Sequence, residues 1–241
     1  MEDIMQEQIL NRSFSRELDV SSVMTEVYWW MSLGLALTAI VALAMANNES
    51  LVTYMLSSGL FYALIIGELA LVFFMSARVM KMSVTAARTC FFVYSVLNGI
   101  TLSLIFLIYT KDSIASTLFI TAGTFITMSA WGYKTKKDMT SWGNFLFMGL
   151  IGLILASIVN MIFHNPVSIW ITSIIGVILF TILTAYDTQK IKKKMTTMTD
   201  APGNPDMEAR IQKFAIFGAL ILYLDFINLF LYLLRLFGSR D

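Results

Sequence analysis

The stretch FAIFGALILYLDFINLFLYLLRLFG, residues 214–238, decides how the chain folds. It holds one acid, Asp225, and one base, Arg235, in an otherwise apolar and weakly polar run. About 20 such residues, at 1.5 Å each, cross the ~30 Å hydrocarbon core of a bilayer as a helix. The run is continuous and does not alternate, so it is not a strand pattern. Asp225 lies near its middle, 12 residues from Lys213 and 10 from Arg235. That is roughly 18 and 15 Å along a straight helix, too deep for a short side chain to reach water.

Six more runs of this kind lie upstream, at residues 28–46, 57–75, 84–109, 114–133, 142–163 and 167–186. The expected fold is an all-α membrane protein, a bundle of seven transmembrane helices. The composition agrees: 57% of the 241 residues are hydrophobic and 14% charged, against about 25% charged in soluble domains. The length suits one domain, divided into a cytoplasmic N-terminal segment, 1–26, and a membrane domain, 27–238. The net charge of +1 gives no reason to expect a nucleic-acid partner. Cys90, the single cysteine, forms no internal disulfide. Residues 1–26 contain no apolar signal core, so no cleaved signal peptide is expected and the first span inserts itself.

Lysine and arginine counts orient the bundle. Fourteen fall on the N-terminal side of the alternating connections and three (Lys111, Arg235 and Arg240) on the other. The N-terminus is therefore expected in the cytoplasm and the C-terminus outside. The longest connection, 188–213, opens with KIKKK (residues 190–194). It reads as a solvated cytoplasmic loop with a stop-transfer cluster, or as a site for anionic lipid or regulation. All three prolines, Pro166, Pro202 and Pro205, fall in connections, so no span carries a proline kink.

An ionisable group inside a span is costly, and each is a functional candidate. Besides Asp225 there are Glu68 in the second run and Asp187 at the end of the sixth. Asn228 and Tyr232 share a helical face with Asp225. Asp187 is either an interfacial carboxylate paired with a lysine or a group with a function. Arg78, at similar depth, either pairs with Asp187 or simply anchors the second span. Straight helices place Asp187 and Asp225 about 11 Å apart along the membrane normal. In the third run Ser95, Asn98 and Thr101 form one stripe, which reads as interhelical hydrogen bonding; Gly149, Gly152 and Ala156 in the fifth read as packing contacts.

Enzymatic chemistry has little support, and the chain is not expected to be an enzyme. One histidine, His164, lies in a turn, so no His-based zinc motif exists. There is no G-x-S-x-G elbow and no phosphate-binding loop, and no resident cofactor is expected.

NGITLSLIF (98–106), ILTAYDTQKIK (182–192) and LYLDFINLFLYLLRLFG (222–238) resemble the Bax inhibitor-one, or TMBIM, family. The likeness covers about residues 20–238, and the expected external C-terminus points to its bacterial branch, hence to the inner (plasma) membrane. The resemblance implies six helices around a central seventh and a pH-regulated calcium leak. It makes Asp187 and Asp225 the proton sensor, Arg78 the latch on Asp187, and Glu68 the family's second-span acid. Two carboxylates in a low-dielectric bundle cannot both ionise cheaply, and carboxylates are the oxygen ligands calcium prefers. Glu68, Asn98, Asp225 and Asn228 are thus candidates for an ion pathway, with Asp187 and Asp225 as candidate calcium ligands. The partners implied are the lipid bilayer, calcium and protons. Two alternatives stay open: a non-conducting regulator that binds a protease or stress-response membrane partner, and a calcium/proton exchanger.

Overall fold

A computed structural model describes the backbone of residues 2–199 and 205–240 and the side chains of 20–198, Glu49 excepted, and 207–240. Among these residues the secondary structure is almost entirely helical, with one isolated bridge between Tyr109 and Arg240. The helices are α1 (Glu2–Ala46), α2 (Glu49–Ser57), α3 (Leu60–Arg78), α4 (Val84–Leu102), α5 (Ile105–Ile108), α6 (Lys111–Lys134), α7 (Gly143–Phe163), α8 (Pro166–Thr199) and α9 (Pro205–Phe237). Seven segments are long and apolar enough to span a membrane: Val20–Ala46, Leu60–Lys81, Val84–Ile108, Lys111–Lys134, Thr140–Phe163, Pro166–Met198 and Met207–Phe237. Each contains most of one apolar run, so the chain is a multi-pass helical membrane protein.

The seventh span is the axis. It is the most buried of the seven, with 67% of its most apolar window inside the protein. Helix α9 packs against α1, α4, α6 and α8; α3 leans on α4, and α7 on α8. Large apolar side chains such as Phe73, Phe119, Phe145 and Met148 point outward, where hydrocarbon is the solvent. The interior is apolar at the level of Phe91, Ile216, Leu220 and Leu222. Close approaches rely on missing Cβ atoms: at Gly132 a Cβ would sit 2.3 Å from the Ala185 carbonyl oxygen, so α6 and α8 meet nearly backbone to backbone.

Four boundaries differ from the sequence reading. Helix α1 runs unbroken through residue 26, and Val20, Met24 and Val27 are buried against Ile191, Met195 and Ile216. The segment boundary at 26/27 thus falls inside a helix; most of the 1–26 segment has side chains outside the described residues. The apolar spacing of Val20, Met24 and Val27 is helical, but Glu26 interrupts the run, which hides it from a search for continuous apolarity. The 188–213 connection is not a solvated loop over its length. Helix α8 continues to Thr199 and α9 starts at Pro205, with Ile191 and Met195 fully buried; residues 200–204 lie outside the description. The third run is one span but two helices, interrupted at Ser103 and Leu104, where the Ser103 hydroxyl donates to the Ile100 carbonyl (2.6 Å). Finally, the first connection folds into α2, capped by Asn48 Oδ1 accepting from the Leu51 N–H (3.2 Å).

Candidate functional site

Asp225 is 5% exposed, and its Oδ2 is buried with no hydrogen-bond partner. A buried carboxylate without a partner is costly in a bundle that could have used Asn or Leu there. Its neighbours on the sequence, Phe226 and Ile227, pack into the central core. Asn228 does not join it: its Nδ2 donates to the Leu224 carbonyl of the same helix (2.8 Å). Tyr232 stacks on Phe180 (5.8 Å between centroids) over the bare Cα of Gly176. The face shared by Asp225, Asn228 and Tyr232 looks into the bundle, but the three side chains do not form one polar cluster.

Asp187 comes to lie near Asp225 across the α8–α9 contact, and no hydrogen bond links the two. The register of α8 against α9 explains this. Gly176 faces the Tyr232 ring and Gly218 faces Ile191, which sets residue 187 opposite residues 221–222. Asp225 is then about one turn, roughly 5 Å, further along. The separation of about 11 Å read from sequence is too large because it placed the span boundary at Asp187, whereas α8 continues as a buried helix beyond it. Asp187 is half-buried, and Lys190, one turn on along the same helix, lies over the Tyr186 ring (5.4 Å). Thr188, next to it, joins a separate chain in which Tyr28 Oη bonds Ser129 Oγ (2.6 Å) and Ser129 Oγ bonds Thr188 Oγ1 (2.9 Å).

Arg78 is exposed at the C-terminus of α3 and makes no ion pair with Asp187 in this structure. The described residues contain no group of three or more His, Cys, Asp or Glu able to hold a metal. Two carboxylates fall well short of the roughly six to eight oxygens of a stable calcium site.

Glu68 has the opposite surroundings. Its Oε1 accepts from Thr101 Oγ1 (2.8 Å) and its Oε2 from Asn98 Nδ2 (3.2 Å). Asn98 Oδ1 accepts from Tyr223 Oη (3.0 Å), and Tyr223 Oη also bonds Thr38 Oγ1 (2.7 Å), which meets the Ser95 carbonyl (2.9 Å). This chain ties α3, α4, α9 and α1 together. Asn98 and Thr101 of the stripe thus bond between helices, whereas Ser95 Oγ donates to the Phe91 carbonyl of its own helix (3.0 Å), and Glu68 and Asn98 are in direct contact. Asp225 and Asn228 stay apart from them. Gly149 packs on Leu179 as expected, while a Cβ at Gly152 would meet nothing within 4 Å.

Two side chains escaped the sequence reading. Tyr223 is the hub of the Glu68 chain, and a buried tyrosine hydroxyl usually takes a hydrogen-bond partner, so it was the available signal. Gln189 clamps the loop between α6 and α7, accepting from the Met139 N–H and donating to the Lys137 carbonyl (both 2.9 Å). Beside that clamp Lys193 pairs with Asp138 at the surface. Hydrogen bonds from Lys193, then from Thr140, hold the Asp138 carboxyl well below the usual carboxylate range.

The family model described as "Inhibitor of apoptosis-promoting Bax1" matches residues 20–241. "Inner membrane protein YbhL" of Escherichia coli K12 is 47% identical over 222 residues, 92% of this chain and 93% of that one. "Uncharacterized protein RP147" of Rickettsia prowazekii is 42% identical over 232 residues, 95% and 94% of the two chains. A Streptococcus pyogenes membrane protein is 33% identical over 228 residues, 93% and 96% of the two.

Proposed function

The chain belongs to the Bax inhibitor family, and on that footing we propose that it is a passive, pH-sensitive calcium leak of the inner membrane. Asp187 and Asp225 are its proton sensor. One observation carries the reading: a buried, unpartnered carboxylate on the central helix, Asp225, with the register of α8 setting a second carboxylate, Asp187, about one turn away. A structural acid would be satisfied as Glu68 is.

When the pair holds a proton, the two carboxyl groups carry at most one charge and α8 rests against α9. When the proton leaves, two like charges about a turn apart repel in a low-dielectric interior. Either α8 shifts or Asp187 finds a cation. Arg78, exposed and at the basic end, is the proposed latch for that second arrangement. Calcium crosses with part of its water, touching carboxylates in passing, since two of them are too few to retain it. The polar chain from Glu68 through Asn98 and Tyr223 borders the proposed route on the opposite face of α9.

The inner-membrane location is supported by the name of the Escherichia coli relative. The basic-residue excess supports a cytoplasmic N-terminus and an external C-terminus. The test is calcium flux into proteoliposomes of purified protein between about pH 6 and pH 8, where a shared-proton pair has room to titrate. A leak follows the calcium gradient with or without a proton gradient. Flux that requires the proton gradient makes it an exchanger. No flux from folded protein returns the reading to a partner-binding regulator.

A further inference from the structure

The basic run at residues 190–194 is not one undivided solvated cluster. Lys190 lies over the Tyr186 ring (5.4 Å). Lys192 donates to the Tyr133 carbonyl (2.9 Å) and sits over that residue's ring (4.1 Å). Lys193 is held by Asp138. Lys194 has no such partner among the described residues, and neither has Arg210 on α9. Both line a cavity of about 700 Å³ between the basic end of α3, the end of α8 and the start of α9. Lys213 is at the same cavity, tethered to the Met80 carbonyl (3.0 Å). Glu208, two residues before Arg210, is exposed and takes up Gln212 (3.4 Å).

The rest of the lining is of a different kind. Val79, Met198, Phe214 and Phe217 give the cavity an apolar wall, and Ser76 adds a hydroxyl. Cations beside an aliphatic and aromatic wall, at the end of a membrane span, match a molecule that is anionic at one end and oily at the other. A soluble anion would leave the apolar wall uncovered, and a neutral lipid would leave the cations unmatched. Basic pockets between spans on the cytoplasmic side suit anionic head groups for this reason.

We propose that this cavity binds an anionic phospholipid from the leaflet at the basic end of the bundle. Its phosphodiester lies against Lys194 and Arg210, and its upper acyl chain lies on Phe214 and Phe217. The site is independent of the calcium reading: it needs neither Asp187 nor Asp225. It braces the turn after Arg78, where the short 3-10 segment Val79–Lys81 meets α9.

The experiment is a thermal-stability titration of the full chain in a neutral detergent with phosphatidylglycerol, phosphatidylcholine or glycerol phosphate. Phosphatidylglycerol should raise Tm, and the other two should not. Lys194→Gln with Arg210→Gln should raise the phosphatidylglycerol midpoint roughly 25-fold, about fivefold per charge removed at an anionic lipid surface. Lys136→Gln with Lys190→Gln removes the same charge from the same end, outside the cavity, and should move it by less than about twofold on the same scale. Lys194→Arg with Arg210→Lys should keep the wild-type midpoint. The proposal is overturned if phosphatidylcholine stabilises equally or if glycerol phosphate alone suffices. It is also overturned if the outside pair weakens the effect as much as the cavity pair.

Discussion

Tyr223 and Asp225 sit two residues apart on α9, at nearly one depth and on opposite faces, and their surroundings could hardly differ more. On the Tyr223 side every polar group named has a partner. Glu68 accepts two hydrogen bonds, Asn98 gives one and takes one, and Tyr223 reaches both Asn98 and Thr38. On the Asp225 side a carboxylate oxygen is buried with nothing to accept from, and the helix register sets a second acid, Asp187, about one turn away. A closed polar network fixes helices against one another. An open one is a group free to change its protonation when its surroundings change. The lesson is that acids in one bundle are not equivalent: Glu68 is built into the scaffold, and Asp225 is left available.

Breaking the closed side should unsettle the fold more than it unsettles the pH response. Asn98→Ala leaves both a Glu68 oxygen and the Tyr223 hydroxyl short of a partner, and should cost about 2 kcal/mol of stability. Denaturation in detergent measures that, while the dependence of flux on pH should keep its shape. Tyr223→Phe removes one hydroxyl and should cost less, about 1 kcal/mol, as single interhelical hydrogen bonds in membranes do. A larger loss from Tyr223→Phe than from Asn98→Ala would show that Asn98 is not the link to Glu68. Asp225→Asn removes a group with no partner to lose and should leave Tm unchanged or raise it slightly, unlike either substitution across the helix.

The smallest loss of stability belongs to the exposed Asp138–Lys193 pair, which serves as an outside reference. Its carboxyl titrates below the ordinary carboxylate range in the folded protein. Its contribution is therefore present above the unfolded-state value, near 3.9, and is lost as pH falls through the lower folded value. Asp138→Asn should lower Tm slightly at neutral pH, and the gap should close in strong acid. A gap that widens on acidification would mean the pair does not act as an ion pair.

The same contrast explains what could be read before the fold was known. The seven spans and the depth of Asp225 follow from apolar run length and from a charge far from any run end. The stripe at Ser95, Asn98 and Thr101 was visible as helical spacing. What stayed hidden was relative register. Nothing local says that Gly176 meets Tyr232 or that Gly218 meets Ile191, yet those approaches bring Asp187 within a turn of Asp225. Helix ends were hidden where amphipathic turns replace apolar ones, as at Val20–Val27 and Ile191–Met195. The partition of the KIKKK lysines into three engaged and one facing a cavity depends on Tyr186, Tyr133 and Asp138. Those partners are assembled by tertiary packing alone.

The central claim is that the open carboxylate, not the closed one, senses protons. It is tested most directly by the pH dependence of calcium flux through purified Asp225→Asn in liposomes, measured beside wild type. The account predicts a wild-type flux that changes by up to about tenfold per pH unit, the limit for one titrating proton, and a flat profile for the variant. An unchanged profile in Asp225→Asn would contradict it.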